Sequence, residues 1–326
     1  MKQALWDRVL PILCDPATGE PLALAEGALI SKSARFPIVK DIPRFVAGDH
    51  YVGSFSFEWN AHANTQLDAF RGDDASERQF RLKSGFTPEA LTGKLVLDAG
   101  VGAGRYADVA SRWGADVVGV DLSYAVEASQ RNFAGRDNVF IAQADIGALP
   151  FQRASFDAIF SMGVLHHTPD TREFFLKLVP LLKPGGTIAI WVYPREGDYL
   201  LRSRWVRFVN KLPPRMFYEW CRWFVPWAQR RLNNPWVGLL RRVFPFSTQG
   251  LGLENDILDT FDGYSPRYHG IHSPEEVEGW FRETGLVDIR RPSDWNTCVR
   301  GTKPLHHVGE RAFGSLEPRV AGDRHE

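Results

Sequence analysis

From Lys94 onward, short runs of apolar residues alternate with segments of helical periodicity. Leu95–Ala99 reads as a strand and is followed by a helix over Arg105–Trp113. The stretch ADVVGVD, Ala115–Asp121, reads as a second strand, and Ser123 is placed to cap a helix running through Phe133. Asn138–Asp145 and Phe156–Met162 give a third and a fourth strand. A helix predicted over Thr171–Leu182 ends at Pro184-Gly185-Gly186, and Thr187–Tyr193 is the fifth strand. Strands that are apolar on both sides and separated by helices predict a parallel sheet covered on both faces.

The pattern resumes near the C-terminus. Ser273 as N-cap, Pro274 at the first helical position and Glu276 three residues after the cap predict a helix. Its apolar stripe is Val277, Trp280 and Phe281, and Gly285 ends it. LVDIRRP and NTCVRGTK then pair as a terminal antiparallel hairpin, leaving 304–326 as a polar tail.

Composition narrows the picture without deciding it. With 326 residues, 44% of them apolar, the chain can bury a core as one decorated domain or two. Its formal charge is zero, so the whole molecule offers nucleic acid no bulk attraction. Cys14, Cys221 and Cys298 lie far apart, with neither metal-ligand spacing nor a disulfide framework, which fits a reducing cytoplasm. The N-terminal MKQALWDRVLPIL is too short and too polar for a signal peptide, and no run of about 18 apolar residues occurs.

The chemistry gathers at KLVLDAGVGAGRYADVA, Lys94–Ala110, where a strand ends in an acid and glycines recur at Gly100, Gly102 and Gly104. The dinucleotide fingerprint Gly-x-Gly-x-x-Gly fails here, because Arg105 stands where its third glycine belongs. Asp98, two residues before Gly100, would repel a pyrophosphate. It would attract S-adenosylmethionine (AdoMet), which carries an ammonium and a sulfonium and no phosphate. Asp121 closes the second strand, where a carboxylate can accept from both ribose hydroxyls. Asp145 closes the third, placed for the adenine amine, with the Ile146 backbone beside the ring. Three acids at three strand ends line one crevice of an open α/β sheet. Leu122 and Met162 are expected to join them as cofactor contacts.

With these motifs in view, the chain resembles class I AdoMet-dependent methyltransferases. VLDAGVGAGRY, VVGVDLS, QADIGALPF, FDAIFSMGVLHHTPD and LLKPGGTIAIWVY fall in that family's order and spacing. The resemblance covers about Tyr51 to Lys303 and implies a Rossmann-like doubly wound sheet of seven strands, mostly parallel, with the last strand antiparallel. A methyltransferase domain over 48–303 follows from it. Val101 departs from the cysteine common among relatives. In similar enzymes an N-terminal segment folds over AdoMet, a role that Tyr51, Phe57 and Trp59 could fill here. The loop GVLHHTPD faces the methyl group in this fold, which makes His166 the candidate general base, against the alternative that it packs structurally. His167 reads as a helix-entry residue. Trp191, Tyr193, Tyr268 and His269 are expected on the acceptor side.

Residues 1–47 resemble a degraded zinc-ribbon module attached to some methyltransferases. Only Cys14 remains of its two cysteine pairs, so no metal site is expected, and a cluster of His166, His167, His269 and His272 is likewise disfavoured. No Asn/Asp-Pro-Pro-aromatic motif follows the fourth strand and no Pro-Cys pair occurs, which argues against methylation of nucleobase amines and of cytosine carbon. Scattered cysteines argue against arsenic methylation.

The distinctive segment is 200–248. It holds ten Arg or Lys against the single acid Glu219, and five of the eleven tryptophans. Trp220, Trp223, Phe224 and Trp227 are spaced to share one helical face, with a kink at Pro226. A basic, aromatic helix of this kind fits a substrate lid, or peripheral contact with an anionic membrane. The sequence therefore predicts a cytoplasmic AdoMet-dependent methyltransferase acting on a small or lipid-like amphiphilic acceptor, with oxygen methylation favoured and nucleic acid disfavoured. The alternatives are an RNA methyltransferase, a non-catalytic AdoMet-binding partner subunit, or a nicotinamide oxidoreductase, the last opposed by Asp98.

Overall fold

Seven strands form one sheet in the order β10-β11-β9-β8-β5-β6-β7 in the computed structural model, which describes residues 3–46, 67–248, 252–293 and 297–305. The strands are β5 (Leu95–Ala99), β6 (Asp116–Asp121), β7 (Val139–Gln143), β8 (Phe156–Met162), β9 (Leu182–Trp191), β10 (Val287–Arg290) and β11 (Cys298–Thr302). β5 to β9 run parallel, whereas β11 is antiparallel to β9 and pairs with β10 as the expected hairpin. Every residue of β5 and of β7 is buried, the signature of strands covered on both faces. Fully buried side chains such as Leu97, Ile159 and Phe160 each stabilise the fold by roughly 1.5–3 kcal/mol.

Two expected boundaries shift. The helix begun at Thr171 stops at Leu178, a short 3-10 turn follows, and β9 starts at Leu182. Lys183-Pro184-Gly185-Gly186 is thus an early, irregular part of the strand and not the break before it. Ser123 does not cap the helix Val126–Asn132, whose N-cap position is Ala125. Instead Ser123 ties the turn together, donating to Asp121 and accepting from the Ala125 amide. The helix Pro274–Glu283 has the full capping box of Ser273 and Glu276.

The N-terminal residues form a helix, α1 (Gln3–Val9), and a small antiparallel sheet of β1 (Ala23–Ala25), β2 (Ala28–Ile30), β3 (Arg35–Val39) and β4 (Ile42–Pro43). Leu5, Trp6, Val9, Leu13 and Phe45 pack in the same core as Phe140, Phe151 and Phe156. The Phe45 amide donates to the Gln143 carbonyl at 2.8 Å, and Arg44 Nη1 reaches Gln143 Oε1 at 2.9 Å, stitching this module to β7. Cys14 is buried, and burial, then the charge of Asp15, pushes its thiol up.

Between β9 and β10 the chain builds a second core. Its helices are α2 (Gly197–Val209), α3 (Pro214–Gln229), α4 (Pro235–Val243) and α5 (Leu253–Asp262). Phe217, Cys221, Phe224 and Ala228 of α3 close on Ile257, Leu258 and Phe261 of α5 and on Tyr264. The helical unit therefore extends past residue 248 and includes α5. The expected aromatic face is split: Phe224 is buried, while Trp223 points outward at 63% exposure. The helix is continuous from Pro214 to Gln229 with Pro226 inside it. Tyr51, Phe57 and Trp59, and the tail beyond Leu305, lie outside the described residues.

Candidate active site

The glycine turn after β5 is shaped by close approach. Gly100 has φ +97°, and a Cβ there would meet Val164 at 2.4 Å. Gly104 has φ +99°, precedes the helix Arg105–Arg112, and leaves no room for a Cβ, which would meet the Phe133 ring at 2.5 Å. Only glycine tolerates both demands. Gly100 and Gly102 line a cavity together with Asp98, Asp121, Leu122, Asp145, Ile146 and Met162. Gly104 shapes the turn from behind and is not on the wall.

The three acids do meet in this cavity, each held differently. Asp121 Oδ2 accepts from the Gly102 amide at 2.9 Å, and its Oδ1 accepts from the Ser123 amide at 2.8 Å and hydroxyl at 2.6 Å. A carboxylate has about four acceptor sites, so these bonds orient it without exhausting it. Asp145 caps the turn Ile146–Ala148 by accepting from the Gly147 amide at 2.7 Å, while also facing the cavity. Burial, then the charge of Asp121, raises Asp98 well above the usual carboxylate range; burial likewise raises Asp121 against its hydrogen bonds. Burial disfavours the charged form of both carboxyls, and a ligand that brings positive groups beside them would favour it; AdoMet, with its ammonium and sulfonium, fits the arrangement.

The same cavity has an aromatic part, the chamber, walled by Trp191, Tyr193 and Tyr199. Their rings contact one another, Tyr193 to Tyr199 at 4.5 Å and Trp191 to Tyr193 at 5.7 Å between centroids. Lys83, from the helix Ala75–Ser84, holds its ammonium 3.5 Å over the Trp191 ring.

His166 is not on this wall. It is fully buried behind Tyr193, stacked on that ring at 3.6 Å, with neither ring nitrogen hydrogen-bonded. Burial, followed by the neighbouring histidines and Lys83, drives it well below the usual imidazole range. The cavity-lining histidine is His167, whose Nδ1 donates to the Tyr268 carbonyl at 3.0 Å and which burial brings down to about 3. One residue of register decides this, because the 3-10 turn Leu165–His167 sends successive side chains to different sides. Tyr268 and His269 also stand off the wall. Tyr268 acts there through its carbonyl, and His269 packs on Tyr193 at 5.0 Å, lowered by burial to about 4. His272 is engaged by Glu276 and Thr171. Among the described residues no three His, Cys, Asp or Glu side chains are grouped to hold a metal ion.

Two wall residues had no signal in the sequence. Asp259 and Asp262 reach the chamber from α5, at the far end of the helical unit. Asp262 Oδ1 is buried without a partner, and its Oδ2 lies 3.5 Å from the Tyr193 hydroxyl. Burial, then the charge of Asp259, pushes Asp262 up to about 7 despite the opposing Arg202.

Comparison with known proteins agrees with this geometry. Residues 97–190 match the family model described as a methyltransferase domain. The chain is 36% identical over 222 residues to the tRNA U34 carboxymethyltransferase of Pseudoalteromonas translucida, covering 65% of this chain and 59% of that protein. It is 32% identical over 141 residues to the ubiquinone biosynthesis O-methyltransferase of Paracidovorax citrulli, covering 42% and 59%. Phosphoethanolamine N-methyltransferase 2 of Caenorhabditis elegans is 31% identical over 147 residues, covering 40% and 33%. The chain thus spans no more than 59% of the length of these relatives. A seven-stranded sheet with antiparallel last strands and an acid-lined glycine turn frame the stretch 97–190, over which the chain carries a methyltransferase domain similar to those of AdoMet-dependent enzymes.

Proposed function

We propose that the protein transfers a methyl group from AdoMet to a small or amphiphilic acceptor, with a hydroxyl oxygen as the favoured target. The observation that carries this reading is the continuity of one cavity, from the acids at Asp98, Asp121 and Asp145 to the aromatic chamber closed by α5. Bound AdoMet supplies an electrophilic methyl group. Trp191, Tyr193 and Tyr199 give an apolar, water-poor bed for an acceptor ring or chain, and Lys83 favours an acceptor with negative charge nearby. Asp262 takes the role first assigned to His166: its unpartnered Oδ1 accepts the acceptor's proton, and Tyr193 steadies Oδ2. A carboxylate that titrates near 7 is a far better base for a hydroxyl than an ordinary one.

The place of action is the cytoplasm, with peripheral contact to an anionic membrane through 200–248. A second reading, RNA methylation, draws on the named tRNA relative and on the exposed arginines of the helical unit. Labelling separates the two. Purified protein, methyl-tritiated AdoMet and a cell extract split into organic-soluble and RNA fractions should place the label in organic-soluble material. Label confined to RNA would overturn the small-acceptor reading.

A further inference from the structure

The helix α4 is amphipathic with its apolar face turned outward. Trp236, Leu239, Leu240 and Val243 follow the i, i+3, i+4, i+7 spacing of one stripe, and they are 78%, 52%, 36% and 50% exposed. Only Val237 of this helix is buried. Neighbouring helices continue the surface. Trp205 of α2 donates its indole N–H to the Val243 carbonyl at 2.7 Å, and Trp220 of α3 packs edge-on to Phe244 at 5.4 Å. Contiguous exposed apolar surface of this kind costs hydration free energy unless something covers it.

The charge of the helical unit that carries the stripe says what covers it. Arg204, Arg207, Arg215, Arg230 and Arg242 are exposed, and none has an ion-pair partner among the described residues. Aliphatic side chains gain nothing from a phosphodiester backbone, so RNA accounts for the arginines but not for Leu239, Leu240 and Val243. A bilayer with anionic headgroups accounts for both, since tryptophan favours the headgroup region and basic residues its negative potential. Among the described residues no helix is long and apolar enough to cross a membrane.

We propose that the outward stripe of α4, Trp236, Leu239, Leu240 and Val243, together with the exposed arginines of the same helical unit, is a docking face for an anionic lipid bilayer. This rests on the amphiphilic-acceptor reading and deepens it. The same helical unit carries α5, whose Asp259 and Asp262 wall the chamber, so the docked unit joins the lipid surface to the site where the acceptor reacts.

Sedimentation of the full chain with vesicles tests the assignment. One set is phosphatidylcholine alone, and the other carries about one-third phosphatidylglycerol. The expected result is at least roughly tenfold stronger binding to the anionic set, weakened by salt. Trp236→Ser with Leu239→Ser should lower that binding by a further factor of about ten while every charge is kept. Unchanged S-adenosylhomocysteine binding by calorimetry should show the variant folded, because neither residue lines the cavity. A milder pair, Leu239→Ala with Val243→Ala, serves if the first does not fold. Binding to neither vesicle overturns the proposal. So does anionic binding that the serine pair leaves intact, which is attraction to any polyanion. Self-association without vesicles that the serine pair abolishes overturns it too, assigning the face to a second copy. Label transfer to an organic-soluble acceptor would stand after any of these failures, whereas RNA-only label with intact vesicle binding would fail the acceptor reading alone.

Discussion

The hydroxyl of Tyr193 lies 3.5 Å from Oδ2 of Asp262, joining the end of the central sheet to a helix 69 residues further along the chain. Behind the same tyrosine ring, and out of the cavity, sits His166. Tyr193 therefore separates the carboxyl proposed as the base from the histidine that the sequence offered for that role.

Asp262→Asn should cut methyl transfer by roughly 100-fold at neutral pH, the scale of losing a general base. In the natural protein the rate should rise with pH through about 7, where Asp262 loses its proton, and this limb should vanish in the variant. Stability supplies a check that needs no acceptor. A carboxyl raised from 3.8 to about 7 by folding binds its proton more tightly when folded. Its contribution is complete below about 4 and is lost as pH rises through about 7, on the order of 2–4 kcal/mol. Thermal melts at pH 5 and pH 8 should differ less in Asp262→Asn than in the natural protein.

His166→Phe should retain activity within a few fold and leave the pH profile in place. Its ring would keep the stack on Tyr193 while removing two buried, unbonded nitrogens. Relieving that desolvation should stabilise the fold by about 1 kcal/mol, read as a higher midpoint in urea. A collapsed pH profile in this variant would return the base to His166.

Asp121→Ala should weaken AdoMet and S-adenosylhomocysteine by roughly 1.5–3 kcal/mol, the worth of charge-assisted hydrogen bonds. It also frees the Gly102 amide and Ser123, so the turn itself should loosen. Calorimetry with NAD and NADP should show no heat of binding, and tight nicotinamide binding would contradict the reading of Asp98.

Gly104→Ala should cost at least about 2 kcal/mol, combining left-handed strain with the collision at Phe133. Gly135→Ala is the control. It shares a positive φ but meets nothing within 4 Å, so only the strain should remain in its melting curve.

The sheet was legible because its strands are buried on both faces, as β5 and β7 show. The acids at 98, 121 and 145 were legible because strand ends share one edge of a parallel sheet. What failed depended on side-chain direction or on distant chain. His166 and His167 differ by one position in a tight turn, and local pattern carries no information on which one faces the cavity. Asp259 and Asp262 sit in an ordinary amphipathic helix, LENDILDTFD, and only tertiary packing brings it to the chamber. The stripe of α4 has core periodicity, and periodicity cannot say that its apolar side faces out.

The stitch between Phe45 and Gln143 bears on how the chain survives in a crowded solution. Without the N-terminal module, the edge strand β7 would lose the main-chain bond made to its Gln143 carbonyl at the margin of the sheet. The Phe140 ring that Trp6 now meets edge-on would lie bare beside it. Such a margin is a template for pairing with another molecule. Residues 3–46 thus cover part of this margin, and cutting them away should raise the tendency of the domain to aggregate through β7, read by light scattering.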